Sequence, residues 1–131
     1  MNARKSVVLC ASLLACALGA RAARADDMQR PYVRVAQIDV DPAQLETYKA
    51  MAKEQIETAI RVEPGVLTLY AVAEKDNPAR IFVFEMYADP HAYRTHLETA
   101  HFKKYKADTQ EMVKSLKLVD TVPIVLGAKA P

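Results

Sequence analysis

All three histidines of the chain, His91, His96 and His101, fall in one segment, Asp89 to Tyr105, which reads DPHAYRTHLETAHFKKY. A neutral imidazole is the side chain best suited to accept a proton near pH 7, so acid–base chemistry is sought here first. A five-residue step turns by about 140° on a helix. The three rings therefore do not line one face and do not make a helical metal motif. His91 stands at the exposed start of a short helix and reads as solvated. His96 shares the apolar side of that helix with Ala92 and Tyr93. His101 lies at the junction with the next helix, to one side of its apolar stripe. A buried imidazole needs partners for both nitrogens. Two readings stay open: satisfied junction histidines, or a proton acceptor facing a pocket between helices and sheet. Both rings sit at the rims of their stripes, so alanine substitution is expected to leave folding intact.

Glu85 is the second anomaly, a carboxylate inside the apolar strand segment FVFEMY. Glutamate is seldom buried without a partner. By alternation it shares a sheet face with Val83 and Tyr87, and Arg34, Arg94 or a histidine is the expected partner. Tyr70, in the middle of its strand, reads as plain core before ligand contact; if chemistry takes place in the pocket, Tyr70, Phe84 and Tyr105 would supply its wall or a hydrogen bond. Stronger signatures are absent. The sequence has three glycines and no Gly-rich phosphate loop, His-Glu-x-x-His or Gly-x-Ser-x-Gly.

These residues must be held by secondary structure whose boundaries are partly explicit. Tyr32 to Val40 is rich in β-branched and aromatic residues and predicts a strand. Asp41-Pro42 with Gln44 gives a cap, a first-turn proline and a capping-box partner, and Val40 with Leu45 makes a staple. The helix so opened carries Leu45, Tyr48, Ala52, Ile56 and Ala59 on one side, to about Val62. Pro64-Gly65 ends it. Val66 to Glu74 and Arg80 to Tyr87 predict a hairpin around Asp76-Asn77-Pro78. Asp89-Pro90 opens a short helix to about Glu98. A further helix from Ala100 has its stripe through Phe102, Tyr105, Thr109, Met112, Val113 and Leu116, and Leu118 to Leu126 is a last strand that Pro123 marks as an edge or bent one.

The order β-α-β-β-α-α-β is the split βαβ pattern, an α+β ferredoxin-like antiparallel sheet with helices on one face. Both faces of VLTLYAVA and RIFVF are apolar, while the helices cover only one. The sheet of a second copy is the economical cover, so a homodimer is expected.

The first 25 residues read as a separate unit. A basic start (Arg4, Lys5) precedes the uncharged run SVVLCASLLACALGA and a small-residue exit at Ala-Arg-Ala25, the three parts of a secretory signal peptide. That run is too short for the roughly 20 apolar residues of a membrane span. The domain proper is then 26–131, exported and expected in the periplasm. Leu13-Leu14-Ala15-Cys16 keeps a lipoprotein anchor as the alternative. Cleavage would remove Cys10 and Cys16, both cysteines, and four basic residues. It leaves 14 Lys+Arg against 16 Asp+Glu, a charge of about −2, which does not support a nucleic-acid patch.

Glu63-Pro-Gly-Val-Leu, Phe84-Glu85-Met-Tyr87-Ala-Asp89 and His96-Leu-Glu-Thr-Ala-His101-Phe102, in this order, resemble the antibiotic biosynthesis monooxygenase family over about Val33 to Val125. The resemblance implies a dimeric α/β barrel and a monooxygenase that oxidises a quinol or other phenolic compound with O2, without metal or flavin. It makes His96 and His101 the paired histidines and Glu85 the strand glutamate, with Tyr87 where an aromatic is usual. Lys106 stands where the haem-degrading branch has its iron-ligating histidine, so haem breakdown is not implied. The alternative is an exported binding or stress protein holding an aromatic ligand in the same pocket, and a third reading is a pure assembly module. A cavity of some 300 Å³ or more lined by His96 or His101 would favour the first two.

Overall fold

The computed structural model describes residues 30–129. The expected leader, its cleavage site and Cys16 lie outside them. Strand β1 (Tyr32–Val40) leads through a 3-10 turn (Pro42–Gln44) into helix α1 (Leu45–Val62). Strands β2 (Val66–Ala73) and β3 (Arg80–Tyr87) follow, then α2 (Pro90–Glu98), α3 (Ala100–Thr109) and β4 (Val113–Asp120). The four strands form one open antiparallel sheet in the order β2-β3-β1-β4, the α+β ferredoxin-like arrangement.

The helix starts are local chemistry. Asp41 accepts the amide of Ala43 at 3.0 Å, and the Gln44 amide reaches back to the Asp41 carboxylate at 3.4 Å. Asp89 accepts the amide of Ala92 at 2.8 Å, and the Thr99 hydroxyl accepts that of Phe102 at 3.3 Å. Each cap satisfies an amide that no helical carbonyl can reach.

Register fixes what faces the helices. Arg34, Ala36 and Ile38 lie opposite Glu85, Val83 and Ile81, with Leu118 and Leu116 on their other flank. The core on this face gathers Ala36, Ile38, Val40, Tyr48 and Ile81. The opposite face carries Val35, Phe82, Phe84, Tyr70 and Val72, and no helix covers it. Tyr70 is 66% and Val72 61% exposed.

The end of the chain differs from the expectation. The last helix stops at Thr109 rather than near Leu116, and the last strand runs from Val113 to Asp120 rather than from Leu118 to Leu126. The amide of Asp41 takes the Met112 carbonyl at 2.8 Å, and β1 then offers a free edge that pairs from Val40–Val113 to Arg34–Asp120. A spacing of 109, 112, 113 and 116 suits a helix, but a ladder with β1 satisfies more backbone groups. Pro123 therefore lies beyond the strand, in a segment where Val122, Ile124 and Val125 are all strongly exposed.

Candidate functional site

The helices do not fill the space above the sheet. A cavity of about 240 Å³ remains between α1, α2, α3 and the helix-facing side of all four strands. Its walls are mostly aliphatic and aromatic, with polar groups at Arg34, Glu85, Tyr87, His96, Tyr105 and Lys106. The volume is somewhat below the 300 Å³ expected, yet it is far from a filled core. An apolar cavity of about 150 Å³ already holds benzene, so this one suits a single substituted ring.

His96 anchors one wall. It is 2% exposed, and its Nδ1 lies 2.9 Å from Glu63 Oε1. A carboxylate can only accept, so Nδ1 carries the proton and donates it. Nε2 then keeps its lone pair and faces the Gln55 amide at 3.4 Å, a long contact that a better donor could displace. Phe102 packs on the ring at 4.7 Å and Tyr87 at 5.5 Å between centroids. Burial lowers the His96 pKa below the ordinary 6.5, against the opposing pull of Glu63, so the ring is neutral at pH 7. The expectation that His96 sits at a rim is corrected. It is among the most buried polar residues of the domain.

Glu85 projects into the same cavity. Desolvation raises its pKa, while the Tyr87 hydroxyl, which donates to Glu85 at 3.0 Å, and the charges of Arg34 and Lys106 oppose the shift. The expected ion pair is absent. Among the described residues Glu85 makes none, because Arg34 directs its Nε to Asp120 at 3.0 Å and also donates to the Tyr93 hydroxyl. Tyr105 joins the cavity from α3, its hydroxyl 2.6 Å from that of Tyr48 on α1.

Three expected site residues lie elsewhere. His101 does not line the cavity. It stands behind Glu63, its Nε2 at 2.8 Å from the oxygen that His96 uses, and borders a separate recess of about 50 Å³. That approach is within ion-pair distance but outside hydrogen-bond geometry, and neither ring nitrogen is hydrogen-bonded among the described residues. Tyr70 and Phe84 face away from the cavity, side by side on the open face of the sheet. In a strand Phe84 cannot share the face of Glu85. His91 is exposed, as expected.

Glu63, Gln55 and Tyr48 complete the site and were not singled out as functional in the sequence. Gln55 left a trace there, a polar residue amid Ala52, Ile56 and Ala59 on the apolar side of α1. Glu63 was hidden by its neighbours, since Pro64-Gly65 explains the end of the helix without it. Gly65 has a separate role: a Cβ there would meet the Cβ of Ala92 at 2.6 Å, so only glycine lets α2 pack this close to the turn. Among the described residues no group of three or more His, Cys, Asp or Glu is arranged to hold a metal ion, and no helix is long and apolar enough to cross a membrane.

Comparison with known proteins adds an independent line. Residues 31–108 match the family model described as antibiotic biosynthesis monooxygenase. The crystal structure of a protein provisionally named for that activity, from Bacteroides thetaiotaomicron, is 48% identical, covers 79% of this chain and 99% of its own, and superposes with a TM-score of 0.75. A protein from Lactobacillus acidophilus, provisionally named a monooxygenase, is 30% identical over 69% of this chain and 43% of its own, with a TM-score of 0.67. One from Nitrosomonas europaea, 24% identical over 72% of this chain and 90% of its own with a TM-score of 0.68, supports the fold alone. No curated protein matches.

Proposed function

Because the chain belongs to the antibiotic biosynthesis monooxygenase family, we propose that it is a monooxygenase whose substrate is a single-ring quinol or other phenol, oxidised by O2 without metal or flavin. One observation carries the reading: a neutral, buried His96 presents an unprotonated Nε2 to an apolar cavity of about 240 Å³. A phenol bound there would donate its hydroxyl proton to Nε2 in place of the long Gln55 contact. The resulting phenolate is electron-rich enough to pass an electron to O2. Recombination and loss of water then convert one ring C–H to C=O, with one oxygen atom in the quinone and the other in water. The electrons come from the substrate, so no further reductant enters. Arg34 and Lys106 are cations able to stabilise the anion.

The active unit is proposed to be an exported homodimer. The leader read in residues 1–25 supports export, and the uncovered Tyr70, Val72, Phe82 and Phe84 support pairing of two sheets. In that assembly Tyr70 and Phe84 belong to the interface rather than to the helix-side cavity.

The test is O2 uptake by the purified domain with reduced one-ring quinones and with bulkier multi-ring phenols. Uptake limited to the small compounds, with water and not hydrogen peroxide as the second product, is expected. Tight binding without uptake would replace the enzyme with a binding protein. Neither binding nor uptake would leave the assembly module.

A further inference from the structure

Glu63 touches both histidines with one oxygen, and the two rings open onto different spaces. His96 faces the cavity and is almost wholly enclosed. His101 is 21% exposed at its side chain and borders the recess of about 50 Å³ on the outer side of α1 and α3. That recess is rimmed by the exposed Glu54, Lys104 and Asp108. It has room for water, with Asp108 and Thr58 as polar partners. Glu63 therefore joins the ring that lines the cavity to a ring nearer the surface.

We propose that Glu63 links His96 to His101 as a proton relay from the cavity toward the protein surface. The inference rests on the phenol-oxidation reading and assigns it an exit for the proton. A proton arriving at His96 Nε2 releases the one on Nδ1 to Glu63 Oε1. Glu63 delivers it to His101 Nε2, and the proton on Nδ1, a nitrogen that is itself buried without a partner, leaves when the ring swings toward the recess. Proton gain equals proton loss at every group, but each imidazole ends as its other tautomer, so both rings must turn over, or exchange their protons in the reverse sense, before the next turnover. The 2.8 Å approach of His101 needs only a ring adjustment to become a hydrogen bond. Each part comes from a different element: His96 from α2, His101 from α3 and Glu63 from the turn after α1. The other groups against His96 are Gln55 of α1, Tyr87 of β3 and Phe102 of α3. Of these only Tyr87 ionises, and burial raises its pKa, so it stays neutral.

The relay is tested first without turnover, by nitrogen NMR of the histidine rings in the intact protein and in Glu63→Gln. In the wild type, titrating His101 should shift both His96 nitrogens. In Glu63→Gln the two rings should titrate independently, and in Glu63→Asp the link should persist, weakened. Independent titration in the wild type would overturn the relay whether or not the protein oxidises phenols. In the oxidation assay, Glu63→Gln should lower kcat by about 10- to 100-fold with KM nearly unchanged. His101→Ala should fall similarly and recover with added imidazole. Linked rings with full kcat in Glu63→Gln would overturn the relay too, and a wild type without O2 uptake would remove the oxidation reading while the NMR result still judges the link.

Discussion

Replacing His96 by alanine should destabilise the domain heavily. The substitution removes the donor to Glu63, whose side chain is only 11% exposed, and leaves that carboxylate without this partner. An orphaned buried acceptor costs about 1–3 kcal/mol. The lost ring, roughly 60 Å³ at about 24 cal/mol per Å³, adds about 1.5 kcal/mol, because Phe102 and Tyr87 cannot close the gap. The total is about 3–4 kcal/mol, a fall of roughly 15 °C in Tm for a domain of this size. Equilibrium denaturation of wild type and variant at pH 8 and pH 5 measures it. The pH comparison isolates the imidazole. The folded-state pKa of His96 lies below the unfolded value of about 6.5. Above that pH both states are neutral and the group adds no slope. As pH falls through it the unfolded chain takes up a proton first, so wild-type stability declines. The variant lacks this decline, and the gap should be narrower at pH 5 than at pH 8. A variant within about 1 kcal/mol of wild type at pH 8, or a gap equal at both values, would refute the burial argument.

Glu85→Gln should gain stability relative to wild type as pH rises from 5 to 8 in the same assay. The raised carboxyl pKa favours the protonated form in the fold, so ionisation above the ordinary 4.5 weakens the wild type only. Tyr48→Phe breaks the hydroxyl pair with Tyr105 and should cost about 1 kcal/mol by urea denaturation. In the proposed oxidation, kcat/KM should decline on the acid side with a midpoint below 6.5, where His96 becomes protonated. A midpoint above 6.5 would remove His96 as the base. On the open sheet face Tyr70→Glu should turn a sedimenting dimer into a monomer, and an unchanged profile would place the interface elsewhere.

Sequence reading succeeded where the determinants are local. Asp41-Pro42 and Asp89-Pro90 announce helix starts because a cap acts within three residues. It failed where an element is chosen by a distant partner, as β4 is chosen by the free edge of β1. The site divides the same way. Alternation placed Glu85 with Val83 and Tyr87, and helical spacing turned His96 inward. The same alternation already set Phe84 on the other face, but strands apolar on both sides hide which face holds the cavity. The meeting of His96 and His101 at Glu63 joins three elements 33 and 38 positions from Glu63, a distance over which no periodicity speaks.

The cavity walls differ in how freely they could change. The wall carrying His96 is locked by the contact at Gly65, where there is no space for even one methyl group. A shift of α2 would therefore drag the acid–base groups with it. The wall made by β4 is another matter, since Leu116 and Leu118 are 43% and 46% exposed and hold no hydrogen bond of the site. Relatives with different ligands could diverge there, one aliphatic residue at a time, without disturbing the chemistry opposite. The fold thus separates the part that must be inherited intact from the part on which selection can experiment.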